Sequence, residues 1–159
     1  MLALRRAQER DRADILAAAQ DVGVFTPEEV ACVDELLEVF LHQPDNHDYT
    51  FVVCSNGEDR PLGFACYGPR ALTNGTYDLY WLCVARAAQG RGVATALLRH
   101  VEEELCELDA RLLVAETSST PPYSPARGFY ERHGFRCCAR IPHFYRQDDD
   151  LVLYAKYFC

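Results

Sequence analysis

TYDLYWLCVARAAQGRGVATALLRHVEEEL, residues 76–105, changes its hydrophobic period in the middle. Thr76 to Val84 is a long apolar run of aromatic and β-branched residues, the pattern of a strand. From Gly90 to Asp109, Val93, Leu97, Val101, Leu105 and Leu108 recur at helical spacing, while Arg99, Glu102 and Glu103 mark the opposite face. Strict alternation along the strand sets Asp78, Tyr80, Leu82 and Val84 on one face and Cys83 on the other. Gly90 and Gly92 remove side chains from the first helical turn, so backbone N–H groups can approach an anion that the helix dipole also favours. Pyrophosphate fits such a turn. The same spacing of glycines also occurs for packing, and a nucleotide-phosphate domain is disfavoured because the Walker lysine pattern and the full dinucleotide fingerprint are missing.

Moving toward the N-terminus, Asn74-Gly75 reverses the chain into this strand, Leu62 to Tyr67 and Tyr49 to Cys54 form a hairpin marked by Asn56-Gly57, and His42 to Asp48 is a loop. Thr26-Pro-Glu-Glu combines an N-cap hydroxyl, a first-turn proline and acidic residues, so it opens a helix carrying Val30, Val33, Leu37 and Leu41. Asp11 caps a shorter helix through Ile15, Leu16 and Ala19, after a first strand at Leu2 to Ala7. Moving the other way, Arg111 to Thr117 is a strand. A helix from about Ala126 to His133 stops at Gly134, and strands follow near Phe135 to Ile141 and Leu151 to Phe158. The resulting order is βααβββαβαββ, with Asp148-Asp149-Asp150 as a solvated turn.

The 159 residues suit one domain spanning 1–159, and a hydrophobic fraction of 49% supplies a core. Sixteen basic against 24 acidic residues give a formal net charge of −8, which argues against a broad basic field for nucleic acid or an anionic membrane. No window reaches the length of a membrane helix, and the N-terminus turns charged after four residues, unlike a signal peptide, so a cytoplasmic protein is expected. Of the eight cysteines, Cys32, Cys54, Cys66, Cys83 and Cys106 sit in apolar runs without metal-type spacing and are read as buried free thiols. His42 and His47 lack a third ligand at matching spacing, so they are read as surface residues and no metal is expected.

Gln89-Gly90-Arg91-Gly92-Val93-Ala94 resembles the Q/R-x-x-G-x-G/A signature of the GNAT acetyltransferase superfamily, and it follows a strand ending in Leu82-Cys83-Val84. Ala126-Arg127-Gly128-Phe129-Tyr130-Glu131-Arg132-His133-Gly134-Phe135 is similar to that family's A-x-x-F-Y-x-x-x-G-F segment. The resemblance implies an α/β (α+β) fold of one domain, a mixed and mostly antiparallel sheet of about seven strands flanked by four helices. It implies an acetyl-CoA site in which the strand at Leu82, Cys83 and Val84 splays from its neighbour and pairs with the pantetheine arm. Gln89, Gly90, Arg91, Gly92, Val93 and Ala94 would hold the pyrophosphate. Many relatives carry Asn where this chain has Tyr123.

Acyl transfer to an amine needs a neutral nucleophile, a polarised carbonyl and a proton for the departing thiolate. Tyr130 matches the family tyrosine near the cofactor sulfur, although without the motif it would read as a packing residue beside Phe129. Asp78 stands where some protein-acetylating relatives carry a carboxylate; it is read as the base or, equally, as the partner of an arginine. Glu116 on the neighbouring strand reaches the same cleft directly or through water. Cys83 as an acylated nucleophile is the weaker reading beside a core thiol. Residues near Val24-Phe25-Thr26, Pro69-Arg70 and Ser118 to Ser124 are expected to shape the pocket for a small-molecule or peptide amine. A homodimer is compatible with the sequence, and the alternative function is a noncatalytic acyl-CoA-binding regulatory domain.

Overall fold

The computed structural model describes residues 1–158. Seven strands, β1 (Ala3–Arg6), β2 (Thr50–Ser55), β3 (Pro61–Pro69), β4 (Thr76–Val84), β5 (Leu112–Ser118), β6 (Arg136–Arg146) and β7 (Asp149–Tyr157), alternate with α1 (Arg12–Asp21), α2 (Pro27–His42), α3 (Val93–Glu107) and α4 (Ser124–Arg132) in the expected order. They form one sheet in the order β1-β2-β3-β4-β5-β7-β6. Among the described residues only the β4–β5 pair is parallel.

Local chemistry explains most boundaries. Thr26 Oγ1 accepts the Glu29 N–H and the Glu29 carboxylate accepts the Thr26 N–H, each at 3.1 Å, which closes a capping box at the start of α2. Asp11 does not cap α1 as expected, because its carboxylate is already committed to the Gln8 N–H at 2.8 Å and to Arg5 at 2.7 Å. At the β2–β3 hairpin Asp59 takes the positive φ, and the Asn56 side chain accepts the Glu58 and Arg60 N–H groups, so the turn is longer than Asn56-Gly57 alone. At the next reversal Gly75 has φ +87°, and its carbonyl accepts the Arg111 N–H at 2.7 Å, which seats the start of β5 beside β4.

The sheet is covered on both faces. α3 and α4 bury Leu97, Leu98, Val101, Leu105 and Tyr130 against Val52, Ala65, Leu79, Leu113 and Ala115. On the other face, α1 and α2 bury Ile15, Ala19, Val33 and Leu37 against Phe51, Val53, Phe64, Cys66 and Cys83. Alternate residues of β2 therefore enter different cores, and the strand reads as an unbroken apolar run. Two expectations about α3 fail at its polar side: Cys106 is exposed because it lies off the apolar stripe, and Leu108 is exposed because it follows the last helical residue.

A β-bulge overturns the strict alternation expected of β4. Cys66 pairs with Trp81 and Tyr67 with Leu79, which leaves Tyr80 without a partner on β3. The extra residue reverses the phase of the strand. Leu79, Leu82 and Val84 share the α3 face, whereas Asp78 lies on the opposite side with Trp81 and Cys83. Parallel pairing of β4 with β5 runs from Thr76↔Leu112 to Leu79↔Ala115 and stops at the bulge. Beyond it β4 stays with β3, and β5 stays with β7 through Ser118↔Leu151, so the two inner edges diverge.

Gly68 shows how tightly the loop before β2 crosses β3. A Cβ at that position would lie 1.7 Å from the Asp48 carbonyl oxygen. Gly68→Ala is expected to lower stability by at least about 2 kcal/mol, the scale of an overpacked site with no flexible neighbour. Urea unfolding at neutral pH measures this, and a variant as stable as the parent would mean that the crossing yields at little cost.

Candidate active site

Past Leu79 the inner edge of β4 has no strand partner, and its five further residues span ~17 Å at ~3.3 Å each. The edge leads directly into the glycine turn. Gly90 and Gly92 have φ +76° and +81°, and nothing beyond the adjoining residues lies within 4 Å of where a Cβ would stand on either, so the turn faces open space. Gly92 is the N-cap of α3, whose ladder begins with the Ala96 N–H bonding Gly92 O at 3.0 Å. The N–H groups of Val93, Ala94 and Thr95 precede that bond and point out of the helix end. Gln89 Nε2 donates to Val84 O at 3.2 Å, fixing the strand end to the turn. Leu82, Cys83, Val84 and the residues from Gln89 to Ala94 thus form one continuous edge and turn, with Arg91 exposed beside it.

Tyr130 comes from α4. Its ring packs on Phe135 at 5.2 Å and on Tyr154 at 5.6 Å, and Tyr154 pairs with Ala115, the last residue of β5 in register with β4. The tyrosine is thereby set on the α3 face of the sheet, beside the Ala115–Tyr154 pair. Burial alone pushes its hydroxyl up to about 12, so the proton stays on at physiological pH. His133 holds α4 in place: its Nε2 lies 3.1 Å from Thr95 Oγ1 in the first turn of α3, and its Nδ1 lies 2.8 Å from Phe129 O.

The carboxylates occupy the other face. Asp78 and Glu116 border a cavity of about 540 Å³ together with Asp48, Tyr49, Arg70 and Tyr80. Asp78, buried at 7% exposure, accepts a hydrogen bond from Arg70 Nη2 at 2.8 Å, while Glu116 lies 4.0 Å from the same nitrogen. Of the two readings open for Asp78, its nearest partner is thus an arginine. Cys83 is a core thiol pushed up to about 12 by burial, unsuited to attack as a thiolate. Among the described residues no group of three metal-ligating side chains converges, and His42 lies 3.5 Å from Glu9.

The sequence reading missed Tyr49 at the cavity wall and several bonds made near it. Tyr49 meets Tyr80 edge to face at 5.5 Å. Tyr123 donates its hydroxyl to Val24 O at 3.2 Å and so ties the α1–α2 loop to the segment after β5. Asp149 is buried and accepts the Ser118 hydroxyl at 2.5 Å, which corrects the expectation of a solvated Asp148–Asp150 turn. β7 starts two residues earlier than expected, and that extension draws Asp149 inward. Strand-like alternation into Leu151 and Leu153 was the available signal. On the same face Trp81 packs against Phe25, and its buried Nε1 has no hydrogen-bond partner among the described residues.

The model of the acetyltransferase (GNAT) family matches residues 15–135. A Desulfovibrio desulfuricans protein assigned to the GNAT family of acetyltransferases is 39% identical, with a TM-score of 0.94 and 99% of each chain covered. The ribosomal-protein-S18-alanine N-acetyltransferase of Escherichia coli shares the fold at 18% identity, with a TM-score of 0.78 and coverage of 99% of this chain and 94% of that one. An aminoglycoside 6'-N-acetyltransferase complexed with coenzyme A shares it at 14% identity, with a TM-score of 0.75 and coverage of 98% and 96%. No curated protein sequence matches the chain.

Because Asp78 is buried and Arg70 is its cationic partner, Arg70→Gln should lower stability by about 1–3 kcal/mol, the cost of stripping a charge-assisted bond from a buried carboxylate. Thermal unfolding at neutral pH checks this. No change would mean that water replaces the guanidinium at Asp78.

Proposed function

The chain belongs to the GNAT family of acetyltransferases, and from that premise we propose that it moves an acetyl group from acetyl-CoA to a primary amine by direct attack, with both substrates bound across the β4–β5 gap. One observation supports this reading: Tyr130 and the carboxylates lie on opposite faces of the sheet, Tyr130 packed on Tyr154 beside Ala115 and Glu116 the next residue along β5 after the last one paired with β4. A group held in the gap meets a proton donor on one side and a proton acceptor on the other.

Acetyl-CoA supplies the acyl group as an activated thioester. The backbone edge at Leu82, Cys83 and Val84 offers strand-like hydrogen bonds to an extended arm, and the free N–H groups of Val93, Ala94 and Thr95 offer an anion site to the pyrophosphate. Gln89 keeps edge and turn in line, and Arg91 adds positive charge at the rim. On the acceptor side Glu116 takes the amine proton. Arg70, anchored by Asp78, stands 4.0 Å from Glu116 and holds its carboxylate toward the cavity, so Asp78 works through Arg70. A C–N bond forms as the C–S bond breaks, and Tyr130 donates its proton to the departing sulfur. The inert Cys83 thiol supports one direct step over a two-step route. The acceptor is a small-molecule or peptide amine. Seven free thiols among the described residues, and no helix there long and apolar enough to cross a membrane, support a cytoplasmic enzyme acting as one domain.

Two experiments test this reading. Gly92→Glu places bulk and negative charge at the helix N-terminus in a backbone conformation that costs a side chain ~1 kcal/mol, so acetyl-CoA affinity should fall more than about tenfold while the protein stays folded. Calorimetry on the folded variant decides; unchanged affinity rejects the cofactor placement. Tyr130→Phe should retain acetyl-CoA affinity and lose about 10²-fold in kcat, the usual scale for a positioned acid. The raised ionisation of Tyr130 keeps its proton in place below about pH 12, so the parent's turnover should not decline from pH 7 to 10 through loss of this acid. Full activity of the variant over that range would assign protonation of the sulfur to another group.

A further inference from the structure

Two thiols stand side by side on the outermost strand. Cys137 and Cys138 lie near the start of β6, the last strand in the sheet order, and both side chains are exposed. Adjacent residues of a regular strand point to opposite faces, which would hold neighbouring thiols apart. Here the register breaks: Cys137 pairs with Tyr154 and Ala139 with Leu153, so Cys138 is an extra residue without a partner on β7, a β-bulge. The two thiols lean toward one another along the strand. Cys137 Sγ donates forward to Ala139 O at 3.7 Å, and Cys138 Sγ donates backward to Arg136 O at 3.5 Å.

This pair differs from the other described cysteines. Cys54, Cys66 and Cys83 are buried, and burial pushes their thiols up and away from the reactive thiolate. Cys106 is exposed on α3 but has no cysteine adjoining it in the chain. An ordinary disulfide between Cys137 and Cys138 is out of reach, because neighbouring Cα atoms stand ~3.8 Å apart whereas a disulfide usually spans ~4.4–6.8 Å. Both sulfurs therefore remain free to be bridged by a third atom. A structural zinc ion almost always takes four ligands, and among the described residues no group of three metal-ligating side chains converges. The site suits a soft centre that is satisfied by two sulfurs.

We propose that the bulge at Cys137 and Cys138 is a dithiol site for a monosubstituted trivalent arsenical, R–As(OH)2. Each sulfur displaces one hydroxyl: two As–O bonds break, two As–S bonds form, the thiol protons leave with the hydroxyls as two water molecules, and arsenic stays trivalent. The substituent R has room, because β6 has no strand beyond it. The site backs onto the wall that holds Tyr130: Cys137 is in register with Tyr154, Phe135 precedes it by two residues, and both rings pack on Tyr130.

The probe is phenylarsine oxide, added to the reduced, folded protein and located by mass spectrometry of its peptides. One phenylarsenic unit should appear on the peptide that contains Cys137 and Cys138, survive an excess of 2-mercaptoethanol, and come off with dithiothreitol. Cys137→Ser and Cys138→Ser should each lower the label retained in 2-mercaptoethanol by at least about tenfold, because the second sulfur binds at the effective concentration of a tethered group. Cys106→Ser, which removes the remaining exposed thiol among the described residues, should retain it in full. Circular dichroism checks that the variants are folded, and if one serine variant unfolds, the other and the parent's peptide map still decide. No label, label on another cysteine, label stripped by 2-mercaptoethanol, or full retention in a folded Cys137→Ser or Cys138→Ser variant overturns the proposal. The assay contains neither acetyl-CoA nor an amine, so its outcome is separate from that of the acetyltransferase mechanism.

Discussion

Parallel pairing between β4 and β5 ends at Leu79 and Ala115, and the rest of the molecule is organised around that end. Each strand keeps its outer neighbour to the last residue, so neither can turn inward to close the gap without surrendering hydrogen bonds on its other side. Tyr80 makes the divergence permanent, because an unpaired residue inserted on one strand increases its local twist and bend. An open inner edge would be costly deep in a protein, since buried N–H and C=O groups need partners. Here it runs to the surface at the glycine turn, where a ligand with its own donors and acceptors can complete it.

The bulge also distributes the chemistry. By reversing the phase of β4 it places Asp78 on the α1–α2 face, the face to which Val114 and Glu116 point from β5. Tyr130 stays on the α3–α4 face, packed between Phe135 and Tyr154. The sheet thus acts as a partition with one opening. The burial that keeps Tyr130 protonated and the cleft that leaves Glu116 half-exposed are two environments a few residues apart in register, separated by a single layer of backbone.

The sequence made some of this plain and concealed the rest for identifiable reasons. The glycine turn and the helix after it were legible because Gly90, Gly92 and the Val93–Leu97–Val101–Leu105 stripe are local signals, as is the Thr26 capping box. The order of elements followed from the same periodicities. The bulge was not legible: TYDLYWLCV alternates equally well in either phase, and only pairing with β3 reveals that Tyr80 is surplus. Arg70 as the partner of Asp78 joins the turn after β3 to β4, so either residue could be named but not the bond between them. Asp149 is drawn inward to Ser118 because β6 and β7 extend beyond the apolar runs that announced them.

The two halves of the gap are encoded very differently along the chain. The edge and turn assigned to the cofactor are a contiguous piece, Leu82 to Thr95, whereas the cavity beside it is assembled from the α2–β2 loop, the end of β3 with the turn after it, and the neighbouring faces of β4 and β5. The α2–β2 loop and the turn after β3 can therefore change one at a time without altering the piece from Leu82 to Thr95. Such an arrangement makes the scaffold modular: one side of the gap is a single continuous piece of chain, and the other has walls that can be altered independently of it and of one another.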